Sequence, residues 1–191
     1  AFCAGGDIRA IREHAIDGDT EAISGYFSSE YRLDQLVADY PKPYISLIDG
    51  AAMGGGLGIS VHGEVRVVTE NSLMAMPETA IGFFPDVGAT YFLPRLPRGV
   101  GMWLGLSGSR VRGADAVHLG LATHFVPAAE LDSVADAVRA GVGDHADLAR
   151  VGNVEQVRHE VLLQRGASLR VREVLYLEDL LQLGLRAAEI V

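Results

Sequence analysis

Lysine is nearly absent from this sequence: Lys42 stands alone among 16 basic residues, and 25 acidic residues leave a formal charge of -9. General nucleic-acid binding needs a basic face or stripe, so that class is excluded first. Cysteine is just as scarce. Cys3 alone cannot close an internal disulfide, and the expectation is a reducing, cytoplasmic setting. No apolar run approaches the ~20 residues of a membrane-spanning helix, so no membrane span is expected. The six His residues fall in no HxH or HExxH spacing, which argues against a metal site. A GxxxxGK phosphate loop is missing too, because Lys42 lies between Pro41 and Pro43. There is also no initiator Met, no signal peptide and no strand ahead of the turn at Gly5-Gly6, so the chain is read as starting inside a longer protein.

What is present is globular. Hydrophobic residues make up 49% and charged residues 21% of 191 residues, enough for one sizeable core. Asp7 caps an apolar pattern at Ile8, Ile11 and Ala15, and Thr20 to Ala38 continues it through Ile23, Phe27, Tyr31, Leu33 and Leu36, so two helices are predicted. Tyr44 to Ile48 is a short apolar run ending at Asp49-Gly50 and reads as a buried strand leading to a glycine turn and a helix. Glu64 to Thr69 alternates as a strand, and Leu73 to Met76 is a further short one. Pro77 to Asp86 is placed on a loop with a brief extended piece. Helices follow at Val87 to Leu93, Gly99 to Leu106 and Gly113 to Gly120, then a strand at Thr123 to Val126 and a Pro-started helix to Ala140. Strands alternating with helices predict an α/β fold with glycine loops at strand ends. Residues 1–142 read as one core, and 143–191 as a separate helical C-terminal region.

The turns Ala4-Gly5-Gly6 and Gly54-Gly55-Gly56 each precede a predicted helix. Without side chains a backbone N–H approaches a ligand closely, and a helix N-terminus favours negative charge, so two converging loops would form an oxyanion hole. Taken singly, each also suits a plain tight turn. A dinucleotide fingerprint does not fit, since Gly54, Gly56 and Gly58 spell GxGxG with no suitably spaced acid downstream.

Three blocks, FCAGGD at 2–7, KPYISLIDGAAMGGGLGIS at 42–60 and MPETAIGFFPDVGATYFLPRL at 76–96, resemble in order and spacing the crotonase superfamily, the acyl-CoA fold of enoyl-CoA hydratases. The likeness runs from Ala1 to about Ala140. Within the superfamily it is strongest to the 3-hydroxyisobutyryl-CoA hydrolases, enzymes of valine catabolism that cleave a CoA thioester. The resemblance implies a ClpP/crotonase-like ββα spiral core with C-terminal helices, cut short at its N-terminus with the CoA loop before Ala1. It further implies an acyl-CoA substrate, no cofactor beyond the coenzyme A of that substrate, and assembly as a trimer or hexamer. The backbone N–H groups of Ala4 and Gly55 would bind the thioester oxygen, where one donor is worth ~3 kcal/mol.

Hydratases of this superfamily carry one catalytic Glu just after the glycine loop and a second in the proline-flanked block. Here Gly58 holds the first position and Glu78 matches the second. Hydration that uses two carboxyls therefore lacks half its equipment. Asp86 stands where hydratases usually have Gly, which suits hydrolysis: Glu78 attacks the carbonyl or activates water, and Asp86 orients the nucleophile. By itself Asp86 also suits an N-cap for the Val87 helix. Glu30 falls where the hydrolases have a substrate-contacting Glu, although a helix carboxylate is ordinarily solvated. Phe83, Phe84 and Trp103 are candidates for an acyl pocket or for plain core, and Cys3 reads as a small buried hydrophobe. His62 and His124 read as core or surface residues. The alternatives are another crotonase chemistry, as hydratase or isomerase, and a non-catalytic acyl-CoA-binding member.

Overall fold

The computed structural model describes residues 2–141. Two helices come first, α1 (Ile8–Ile16) and α2 (Thr20–Ala38). The Asp7 carboxylate accepts from the N–H groups of Arg9 and Ala10, and Asp19 caps α2 through Ala22. Then β1 (Ile45–Ile48), β2 (Ala51–Met53), α3 (Gly55–Val61), β3 (Val65–Val68) and β4 (Leu73–Ala75) make two turns of a spiral. A 3-10 turn (Glu78–Ile81), α4 (Ala89–Phe92), α5 (Val100–Ser107), β5 (Val111–Arg112), α6 (Gly113–His118), β6 (His124–Phe125) and α7 (Leu131–Arg139) complete it.

Each turn of the spiral puts one strand into each of two sheets. The first sheet has the order β1-β3-β6, all parallel, with Ile45 opposite Val65 and Val67 opposite His124. The second has the order β2-β4-β5, parallel then antiparallel, and Cys3 adds a parallel bridge to Ala52. Every residue of β3 is buried, as expected of a central parallel strand covered on both faces. The alternation seen in the sequence therefore separates two covered faces rather than core from solvent. Arg66 pays for its place on β3 with hydrogen bonds: Nε donates to the Leu121 carbonyl at 2.9 Å and Nη1 to the Gly63 carbonyl at 2.7 Å. Ile48, Leu57, Met74, Met76, Leu104 and Leu121 fill the main core, while Val65, Val67, Val126 and Val134 pack a second cluster under α7.

Three expectations need correction. Leu33 and Leu36 are exposed, and the buried stripe of α2 runs instead through Ile23, Asp34 and Val37. Pro77 to Asp86 contains no extended piece; Pro77 and the left-handed Gly82 bracket a 3-10 turn, with Ala80 N–H donating to the Pro77 carbonyl. The strand β2 was unforeseen, because Ala51-Ala52-Met53 has little strand propensity of its own and is fixed by pairing with β4 and Cys3. The C-terminal region 143–191 lies outside the described residues.

Candidate active site

Two glycine loops, one face of α2 and the segment from Glu78 to Asp86 meet at one place. The first loop, Ala4-Gly5-Gly6, follows directly on the pairing of Cys3, whose N–H donates to the Ala51 carbonyl and whose carbonyl accepts from Met53. The second, Gly54-Gly55, joins β2 to α3, and Gly54 has φ +52 and ψ -117, a conformation that L side chains rarely adopt. A Cβ on Gly5 would lie 3.5 Å from the Gly55 nitrogen, and one on Gly55 would lie 3.6 Å from Gly5 Cα. The loops are therefore in backbone contact, and at Gly5 glycine is required by its φ of +97 and by the Met53 carbonyl, 2.9 Å from where a Cβ would stand. Gly55 begins α3, so its N–H has no partner inside the helix. Ala4 is exposed, and its N–H donates to no carbonyl among the described residues.

Helix α2 brings Glu30, Tyr31 and Asp34 over these loops, because residues four apart share a helix face. The Glu30 carboxyl lies against Gly55: a Cβ there would meet Oε1 at 2.5 Å. The Glu78 carboxyl lies against Gly54, with Oε1 at 2.8 Å from the corresponding Cβ position. Glu78 is only 7% exposed, and its Oε2 has no hydrogen-bond partner among the described residues. Asp86 accepts a hydrogen bond from the Tyr31 hydroxyl at 2.9 Å. It does not cap a helix. That helix starts later, at Ala89, with Gly88 as its first flanking residue, and the Asp86 side chain is turned to α2 instead.

Asp34 was not foreseen as a site residue. Its carboxyl occupies the space beside Gly58, where a Cβ would fall 2.6 Å from Asp34 Oδ1 and 2.8 Å from Val87 Cβ. A glutamate at position 58 would collide with both. The available signal was the spacing: Phe27, Tyr31 and Asp34 continue the buried face of α2, so a carboxyl stands at a core position.

The four carboxyls titrate as a group. Burial is the main cause of every shift, and the charge on Asp86 is next for three of them, if the counteracting hydrogen bond of Glu78 with its own backbone is set aside; Glu30, Asp34 and Glu78 are each raised to about 7. Burial also raises Asp86, but the Tyr31 hydrogen bond and one to its own backbone hold it down, so Asp86 is the group best suited to carry charge. Among the described residues, the charges that act on Glu30, Asp34 and Glu78 belong to other members of the cluster.

The turn after Asp86 is strained. Val87 is a buried β-branched residue at φ 44, a conformation costing about 1–3 kcal/mol. His62 Nε2 donates to the Val87 carbonyl at 2.8 Å, so His62 has a role beyond plain core packing. His124 is fully buried. Phe83 stacks on Phe27 of α2 with centroids 5.9 Å apart, and Phe84 packs on Phe83 at 4.5 Å. Trp103 is 48% exposed, beside a surface hollow with Arg110 and His118. Cys3 is half-buried, less enclosed than expected. Among the described residues no three His, Cys, Asp or Glu side chains are grouped to hold a metal ion, and no helix is long and apolar enough to cross a membrane.

The model of the enoyl-CoA hydratase/isomerase family matches residues 1–173. The chain belongs to that family. Similar members include a mitochondrial 3-hydroxyisobutyryl-CoA hydrolase of Xenopus tropicalis, 54% identical over 134 residues, which are 70% of this chain and 34% of that protein. 3-Hydroxyisobutyryl-CoA hydrolase 1 of Arabidopsis thaliana is 50% identical over 153 residues, 80% of this chain and 38% of its own length. The chain thus spans about a third of these relatives. Among solved structures, a carnitinyl-CoA dehydratase from Mycobacterium thermoresistibile aligns with a TM-score of 0.73 at 36% identity, covering 99% of this chain and 63% of that one. An enoyl-CoA hydratase from Rhodobacter sphaeroides 2.4.1 aligns with a TM-score of 0.71 at 35% identity, covering 98% of this chain and 57% of that one. The crotonase fold expected for this enoyl-CoA hydratase/isomerase member is the fold found.

Proposed function

We propose that the chain carries the acyl-CoA core of a hydrolase that cleaves a short-chain 3-hydroxyacyl-CoA thioester, of the 3-hydroxyisobutyryl-CoA type met in valine catabolism. The observation that carries this reading is the pairing of Glu78 with Asp86 in one carboxyl group where Gly58 leaves no room for a second hydratase-type glutamate. The N–H groups of Ala4 and Gly55 receive the thioester oxygen as it gains negative charge, and their value lies in being fixed before the reaction begins. Glu78, raised to about 7, is poised between its two protonation states at neutral pH, as a base or nucleophile there needs. As nucleophile it forms an acyl anhydride with loss of the CoA thiolate, which water then opens; as base it takes the proton of the attacking water. Either way the C–S bond breaks and the thiolate leaves with a proton. Asp86, held by Tyr31, orients the attacking group, and Glu30 against Gly55 is placed to meet the acyl hydroxyl.

The reading includes coenzyme A only as part of the substrate, no metal, a reducing cytoplasmic setting, and assembly as a trimer or hexamer. Its test is release of free thiol from 3-hydroxyisobutyryl-CoA and 3-hydroxypropionyl-CoA, expected with EDTA present, against loss of enoyl absorbance from crotonyl-CoA, expected to be slow. One observation favours a second reading: Asp34 returns a carboxyl to the neighbourhood of Gly58, and two carboxyls suit hydration. Fast hydration of crotonyl-CoA without thiol release would establish that reading instead.

A further inference from the structure

Asp34 is the least supported carboxyl of the cluster. It is 6% exposed, and among the described residues neither oxygen has a hydrogen-bond partner. Facing it are Gly58 of α3, Val87 with the adjoining Asp86, and Glu30 and Tyr31 of its own helix; Asp86 is the charge that acts on it. His62, bonded to the Val87 carbonyl, is held below its usual range by burial and is neutral at neutral pH. Among the described residues an ionised Asp34 would have neither a cation nor an N–H to offset its burial, whereas Asp86 has the Tyr31 hydroxyl. Two carboxyls sharing one buried site hold a proton between them, and it rests on the one with less support.

We propose that Asp34 is a positioning residue that carries the proton of the Asp34–Asp86 pair, leaving Asp86 as the ionised partner that Tyr31 orients. In the space beside Gly58 it thus supplies a neutral acid rather than a second base. Loss of its proton puts a second negative charge beside Asp86 and close to where the thioester oxygen becomes an anion, so turnover declines. For turnover the inference rests on the hydrolase reading; for the proton it stands on the fold alone.

Asp34→Asn keeps the shape and fixes the neutral form. In the full-length protein the alkaline limb of kcat/KM for thiol release from 3-hydroxyisobutyryl-CoA should move up by about one pH unit, a tenfold change in proton concentration. The second measurement is urea unfolding between pH 5 and pH 8. Asp34 is raised from 3.8 to about 7 in the fold, so its contribution to stability is complete below 3.8 and is lost as pH rises through about 7. The parent should lose stability across that interval, and Asp34→Asn should lose less. Asp34→Leu, which cannot ionise either, should show the same shallower slope if the amide is poorly tolerated. Superimposed pH profiles, equal slopes in urea, or a folded Asp34→Asn protein inactive at every pH would each overturn the proposal. If the parent releases no thiol the hydrolase reading fails, and the urea slopes decide the proton by themselves, shallower in support and equal in refutation.

Discussion

Arg66 and Asp34 are each 6% exposed, and the two regions that hold them treat a buried ionisable group in opposite ways. Arg66 lies on the central strand, where two carbonyls take its N–H groups and Thr123 clamps its backbone by accepting from Arg66 N–H and donating to its carbonyl. Burial lowers it only to about 10, so it stays charged. Asp34 has an apolar neighbour in Val87, a like charge in Asp86 and, among the described residues, no hydrogen bond. Glu78 shares that condition at Oε2, and the turn beside them holds Val87 at φ 44. The sheet meets its buried charge with hydrogen bonds, although Ser46 Oγ on β1 has no partner among the described residues, whereas the glycine-loop side leaves its buried carboxyls unpaired and its backbone strained. Such groups persist where reacting atoms need them.

Exchanging the groups on each side should separate activity from stability. Glu78→Gln keeps volume and removes the base or nucleophile, so thiol release should fall at least ~10²-fold. At pH 8 the variant should unfold at a higher urea concentration than the parent, because Glu78 is raised from 4.5 to about 7 and its stabilising share is gone once pH passes that value. A glutamine variant that keeps parental turnover would leave Glu78 an ordinary buried acid. Asp86→Gly should also cut hydrolysis strongly, since it frees the Tyr31 hydroxyl and deletes the group that orients attack. Parental hydrolysis by that variant would remove the main distinction from other crotonase chemistry.

On the sheet side the expectation reverses. Arg66→Met fills the space but leaves the carbonyls of Leu121 and Gly63 without donors, at a cost of about 1–3 kcal/mol for each. The urea midpoint should fall while thiol release per folded molecule stays at the parental rate. A stability like the parent's would show that water or relaxation replaces those bonds.

The same contrast decides what was legible in the sequence. The glycine turns, the cap at Asp7 and the β3 run were readable because each rests on local chemistry: a backbone only glycine adopts, a side chain reaching N–H groups two or three residues on, a β-branched pattern. Glu78, Asp86, Glu30, Ala4 and Gly55 were named through resemblance rather than spacing; the fold sets Glu30 and Glu78 against the turn that opens α3 and Asp86 against Tyr31. Asp34 was missed because an acid inside a helix is ordinarily solvated, and only the docking of α2 on α3 makes its position a core one. The strain at Val87 and its tie to His62 join residues 25 apart in sequence, which no local pattern displays.

The smallest effect concerns that tie. The Val87 carbonyl can only accept, so His62 Nε2 carries the hydrogen, and burial favours the neutral ring. His62→Leu removes one hydrogen bond worth about 1 kcal/mol, which corresponds to roughly a fivefold change in rate if all of it reaches the transition state. The fall should appear in kcat more than in KM, because Asp86 is displaced while the glycine loops are untouched. His62→Gln, which retains an N–H donor, should recover part of the loss. The contribution of His62 itself is lost as pH falls below the usual His range of about 6.5, since the unfolded chain takes the proton more readily than the buried ring, so the stability of the parent relative to His62→Leu should decline on that acid side. A leucine variant with parental kcat would mean that packing of Val87 alone holds Asp86, and the strained turn would then belong with the self-sufficient core around β3 rather than with the unpaired carboxyls.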